Sequence, residues 1–93
     1  MSSPASFPML SDAERLQRLA APPAIGRLPI VIDTDPYNEI DDQFAITHAM
    51  LSPDRFDIKA IYAAPFANER SGFEAACGME KSYLTAQAVL QRL

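Results

Sequence analysis

Five carboxylates, Asp33, Asp35, Glu39, Asp41 and Asp42, fall within ten residues directly after the apolar run Pro29-Ile30-Val31-Ile32, with no Lys, Arg or His among them. That junction dictates much of the local fold. A continuous apolar run suits a central β-strand covered on both faces, so the acids begin where such a strand ends. Pro36 disfavours α geometry at Asp35, which delays the next helix until the first acids are placed. The helix then begins at Ile40 or Asp41 and runs to Leu51. Ile40, Phe44, Thr47 or His48, and Leu51 share one side, and Pro53 stands just past its end.

Phe56–Ala63 reads as a second strand, alternating at first and apolar at its end. Strand, helix and strand at this spacing describe a right-handed βαβ unit. A long loop from Ala64 to Gly78 follows, above the usual length for a strand-to-helix connection. A closing helix is expected over Glu80–Leu93, with Tyr83, Ala86 or Gln87, Leu90 and Leu93 on its apolar side. Upstream, residues 1–10 read as a flexible lead from which Phe7, Met9 and Leu10 can dock on the body. Residues 11–27 read as a short helix and linker: Ser11 and Glu14 have capping-box spacing, and Pro22-Pro23 stops the helix.

Two parallel strands buried on both faces need neighbours as well as covering helices. The expected fold class is therefore α/β: residues 28–93 form the N-terminal βαβα portion of an open, mostly parallel sheet that is incomplete by itself. Either a C-terminal portion beyond these residues or self-association would complete it.

Eight Lys and Arg against twelve Asp and Glu give a net charge of -4, and no window clusters the cations that a phosphate backbone requires, which excludes nucleic acid as a direct partner. Cys77 is the single cysteine, without His or Cys at metal-ligand spacing, and reads as a buried thiol or chance surface residue. The first ten residues lack a secretory pattern and no segment has the roughly 20 apolar residues of a membrane span. A cytoplasmic protein with no membrane partner is expected.

Crowded carboxylates raise one another's pKa values and oppose folding unless positive charge intervenes. A helix N-terminus offsets only about 0.3 to 1 kcal/mol for each acid. A hard cation accounts for the whole run better than a solvated loop and helix cap does. Ca²⁺, which takes six to eight oxygens in flexible geometry, suits acids drawn from a strand end and a helix start better than Mg²⁺. Asp33 and Asp35 point to the same side if the extended conformation persists. Crevices outside the carboxyl ends of parallel strands are where open α/β sheets bind ligands. Asp41 and Asp42 project about 100° apart on a helix, so one can face a metal while the other faces a bound water, dividing ligation from proton abstraction.

Ile30-Val31-Ile32-Asp33-Thr34-Asp35-Pro36, followed by Asp41-Asp42-Gln43-Phe44-Ala45, resembles the N-terminal signature of the inosine-uridine preferring nucleoside hydrolase family, an apolar strand followed by Asp-x-Asp-Pro-Gly-x-Asp-Asp. Tyr37-Asn38-Glu39-Ile40 replaces the family's Gly-x pair and lengthens the turn by two residues. A subgroup with this insertion is more similar still, and Ala64-Pro65-Phe66, Asn68, Arg70-Ser71 and Gly78-Met79-Glu80-Lys81-Ser82-Tyr83 resemble further parts of its pattern. The resemblance covers about residues 28–93 and the first third or less of the family domain. It implies Ca²⁺-dependent hydrolysis of the N-glycosidic bond of a ribonucleoside, with Asp35 and Asp42 as metal ligands, Asp41 as the proton acceptor for water, Asp33 supporting the cluster and Asn68 binding substrate. The family's distal Asp ligand, ribose-binding residues and leaving-group His have no counterpart among these residues.

Two other readings compete. An apolar strand ending in Asp-x-Asp also resembles the haloacid-dehalogenase phosphatases, with Asp33 as nucleophile, Asp35 as general acid and Mg²⁺ holding phosphate. Pro36-Tyr37 departs from that family's small continuation, and Asp41-Asp42 would be unexplained. The other reading is a non-catalytic, truncated metal-binding or interaction remnant, since Asp35, Asp41 and Asp42 alone provide few ligands and no proton donor for a departing base. An EF-hand loop is excluded by Tyr37 and Asn38, which stand where an oxygen ligand and a Gly belong. Among single residues, Tyr37 is expected to pack the lengthened turn, His48 to be a satisfied or surface histidine, and Glu80 to serve a helix start. Asn68 has the alternative of simply turning its loop.

Overall fold

A computed structural model describes residues 7–93, so most of the lead expected over residues 1–10 lies outside the described residues. In chain order the elements are α1 (Asp12–Leu19), β1 (Leu28–Thr34), α2 (Ile40–Met50), β2 (Phe56–Ala63) and α3 (Ala75–Leu90), with a 3-10 turn at Glu69–Ser71. The chain forms a small α/β domain in which β1 and β2 pair in parallel as a two-stranded sheet.

Helix α1 has the cap its spacing predicts. The Ser11 hydroxyl accepts from the Glu14 amide and the Glu14 carboxylate accepts from the Ser11 amide. Its apolar residues find no core: Leu16 and Leu19 are exposed and no α1 residue is buried. Phe7 and Met9 are exposed as well, which corrects the expectation that they dock, while Leu10 is half-buried. The linker is fixed instead by polar contacts, the Arg55 guanidinium donating to the carbonyls of Pro23 and Gly26.

The strands pair from Leu28 with Phe56 to Thr34 with Ala63, and the register shifts between Ile30 and Val31 so that Lys59 is skipped. The skipped residue is solvent-facing and its ammonium pairs with Asp57 at 2.7 Å. Helices α2 and α3 touch β2 and each other. Pro29, Val31 and Asp33 of β1 stay exposed, with Val31 57% accessible. The expectation of a strand covered on both faces is therefore corrected: burial alternates along β1 although its sequence does not.

The buried faces of both helices also differ from those that apolar spacing picks out. On α2, Ile46 and Ala49 are buried, whereas Ile40, Phe44 and Leu51 are exposed. On α3 the expected Ala86 is buried, but together with Gly78 and Ser82 at four-residue spacing, while Tyr83 and, past the helix end, Leu93 are exposed. Small side chains win there because α3 lies close to the segment after β2: a Cβ on Gly78 would overlap the Phe66 carbonyl and sit 2.8 Å from Phe66 Cδ1.

Helix α3 begins at Ala75, five residues before the predicted Glu80, since Gly78 lies inside it. The remaining loop is ordered by Asn68, which caps the 3-10 turn, and by Phe73, whose N–H donates to the Asn68 carbonyl at 2.8 Å. Among the described residues no helix is long and apolar enough to cross a membrane.

Candidate functional site

The turn after β1 is built by Asp35-Pro36-Tyr37-Asn38, closed by the Asn38 amide donating to the Asp35 carbonyl at 2.9 Å. Proline suits the second position of such a turn because its φ is already set. Pro36 is fully buried, and its carbonyl accepts from the Gln43 side chain at 3.0 Å, tying the turn to the first part of α2. Tyr37 packs outward from the acids. Its ring stacks on Phe66 with centroids 6.4 Å apart, the Lys81 ammonium sits 5.1 Å from its centroid, and its N–H donates to the buried Ser82 hydroxyl. Lys81 also donates to the Arg70 carbonyl, so α3 clasps both the turn and the Asn68 loop.

This scaffold puts strand-end and helix-start acids beside one another at the C-terminal end of β1. Oδ2 of Asp42 accepts from the buried Thr34 hydroxyl at 2.7 Å and from the Asp35 amide at 3.0 Å. Its carboxyl is held below the ordinary range, first by the Thr34 hydroxyl and then by the Asp35 amide, while partial burial opposes them. Asp41 is exposed in the first turn of α2, where its Oδ1 accepts from the Asp42 amide at 3.1 Å. Oδ2 of Asp35 accepts from the Asn38 side chain at 3.0 Å, and Asn38 in turn accepts from the Asn68 side chain at 2.7 Å.

The structure thus links Asp35, Asp41, Asp42 and, through Asn38, Asn68. The Asp33 side chain makes no hydrogen bond among the described residues and belongs to the exposed side of β1. Glu39 precedes α2 without capping it through its side chain, and His48 is exposed farther along that helix.

Thr34 and Asn38 were not picked out by sequence reasoning. Thr34 carried a usable signal, a hydroxyl at the last strand position between two acids. Asn38 carried a weaker one, an amide three residues after an Asp at turn spacing. Ser82 carried none, because only α3 packing brings it under Tyr37.

Whether these oxygens fit a hard cation follows from what they already accept. Asp35 and Asp42 each have one oxygen engaged and Oδ1 free of hydrogen bonds among the described residues. Asp41 spends an oxygen on the helix start. Among the described residues no group of three His, Cys, Asp or Glu side chains is arranged to hold a metal ion. The two free oxygens are fewer than the six to eight that a Ca²⁺ ion takes. No protein-family model, curated protein or solved structure matches the chain.

Proposed function

We propose that this chain carries the Asp-rich, N-terminal wall of a nucleoside-hydrolase-like site, one that hydrolyses the N-glycosidic bond of a ribonucleoside with Ca²⁺. The observation that carries the reading is the joining of strand end to helix start by Asp42, whose one oxygen binds both Thr34 and the Asp35 amide and whose other is free. Asp35 and Asp42 would hold the ion through their free oxygens, with the remaining ligands supplied by residues outside this chain. When bound, the ion supplies orientation of water and of the ribose hydroxyls.

The chain's own residues divide the other tasks. Asp41, exposed and beside Asp42, is the acceptor for the proton of the attacking water. Asn68 keeps one amide hydrogen beyond the one it gives Asn38, enough to donate to a ribose hydroxyl. Negative charge around the sugar favours the oxocarbenium-like form of the transition state. The open Val31 side of the sheet and the exposed Phe44 side of α2 fit a domain whose further strands and helices lie outside these residues.

A non-catalytic metal-binding or interaction role is the second reading, because Asp35, Asp41 and Asp42 alone provide few ligands and no proton donor for a departing base. The two part on a calcium titration and an assay of base release from inosine and uridine. The hydrolase reading expects Ca²⁺ binding that weakens in Asp35→Asn and Asp42→Asn. It expects little turnover by these residues alone, and base release that Asp41→Asn abolishes once a completing portion is supplied. Ca²⁺ uptake indifferent to both ligand substitutions would sink it; uptake without base release in the completed assembly would leave the interaction role.

A further inference from the structure

Asn38 stands between two groups that together force its side chain to face one way. The Arg70 backbone N–H can only donate, and it does so to Oδ1 of Asn68 across 2.9 Å. Asn68 must therefore turn its amide nitrogen to the other side. That nitrogen donates to Oδ1 of Asn38, which leaves Asn38 to offer its own nitrogen to Oδ2 of Asp35. One main-chain amide, fixed by the 3-10 turn that Asn68 caps, thus sets the polarity of two side-chain amides and the aim of a carboxylate.

We propose that Asn38 is a positioning residue for Asp35: it locks Oδ2 through an amide relay anchored at Arg70 and so presents Oδ1 to a ligand. What the aim is for rests on the proposed function; the relay itself does not. Partners that orient a metal-binding side chain commonly change its affinity by 10- to 100-fold, and Asn38 is the group that bonds the Asp35 carboxylate from the lengthened turn. A carboxylate at position 38 could not donate to Asp35, and an aliphatic residue could bond neither neighbour.

The relay has a direction, and reversing it is the test. Asn68→Asp keeps the acceptor for Arg70 but removes the donor to Asn38, so one oxygen–oxygen pair in the relay loses its hydrogen. In the labelled full chain, the Asn38 side-chain amide should exchange about five- to tenfold faster than in the parent, the size of one net hydrogen bond. Adding Asp35→Asn lets every bond run the opposite way, from residue 35 through Asn38 to residue 68, and should restore slow exchange at unchanged net charge relative to the parent. An Asn38 amide indifferent to Asn68→Asp, or not restored in the double variant, overturns the relay.

Should Asn68→Asp fail to fold, Asn38→Ala decides. The Asp35 carboxyl carbon and the Asn68 amide must both shift, and no shift in either overturns the proposal. A parallel Ca²⁺ titration expects about tenfold weaker binding in Asn38→Ala and no recovery in the double variant, where residue 35 has lost its charge. A parent chain that binds no Ca²⁺ while the exchange pattern holds would defeat the proposed function and leave the relay standing.

Discussion

The Thr34 hydroxyl donates to Oδ2 of Asp42 across 2.7 Å, joining the last residue of β1 to the first turn of α2. The two residues lie eight apart in sequence, with the whole Asp35–Asn38 turn between them. Because Thr34 is buried, its hydroxyl needs a partner inside the fold, and an ionised Asp42 is a stronger one than a neutral acid.

Thr34→Val should therefore destabilise the chain by about 1.5 kcal/mol near neutral pH, the lower end for a hydrogen bond to a charged group because Asp42 is only partly buried. The pH dependence follows from the sign of the Asp42 shift. Its folded pKa lies below the ordinary value, chiefly because of the Thr34 hydroxyl. The stabilisation is thus complete above the unfolded carboxylate value, roughly pH 4, and is lost as pH falls through the lower folded value. Urea denaturation of parent and variant should show a gap at pH 7 that closes in acid. A gap of equal size at both ends would mean that the hydroxyl does not act on the carboxylate.

Gly78 is the second decisive contact. Replacing a helical Gly by Ala ordinarily gains up to about 1 kcal/mol in helix propensity. Here the added methyl would meet the Phe66 carbonyl and the Phe66 ring, which is itself stacked against Tyr37. Gly78→Ala should accordingly lower stability by about 1 to 3 kcal/mol, the usual range for overpacking. Chemical denaturation reads the sign directly, and a stabilised variant would show that α3 does not approach Phe66 this closely.

Local grammar was legible in the sequence where one residue type sufficed. The Ser11–Glu14 cap, the two strands and the start of α2 all follow from spacing and from Pro36. Long-range choices were not. Gly78 read as loop because helix propensity disfavours it, and its burial against Phe66 depends on the segment after β2. The acids' neighbourhood could be anticipated from Asp35, Asp41 and Asp42. Their coupling through Thr34 and Asn38 could not, since it depends on how the lengthened turn folds back. The apolar stripe of α2 misled for a related reason: Ile40, Phe44 and Leu51 have helical spacing, but α2 carries a second apolar face at Ile46 and Ala49, and that is the one that is buried.

Those two faces of α2 predict opposite responses to truncation. Ile46 has no accessible surface, so Ile46→Ala removes buried carbon and leaves a cavity, which should cost about 2 to 4 kcal/mol. Phe44 is 69% accessible, so Phe44→Ala should stay within about 0.5 kcal/mol despite the larger side chain removed. Parallel urea titrations of the two variants rank the faces without reference to any activity. The reverse ranking would put the Phe44 side in the core, rotate α2 about its axis, and pull Asp42 away from the hydroxyl of Thr34.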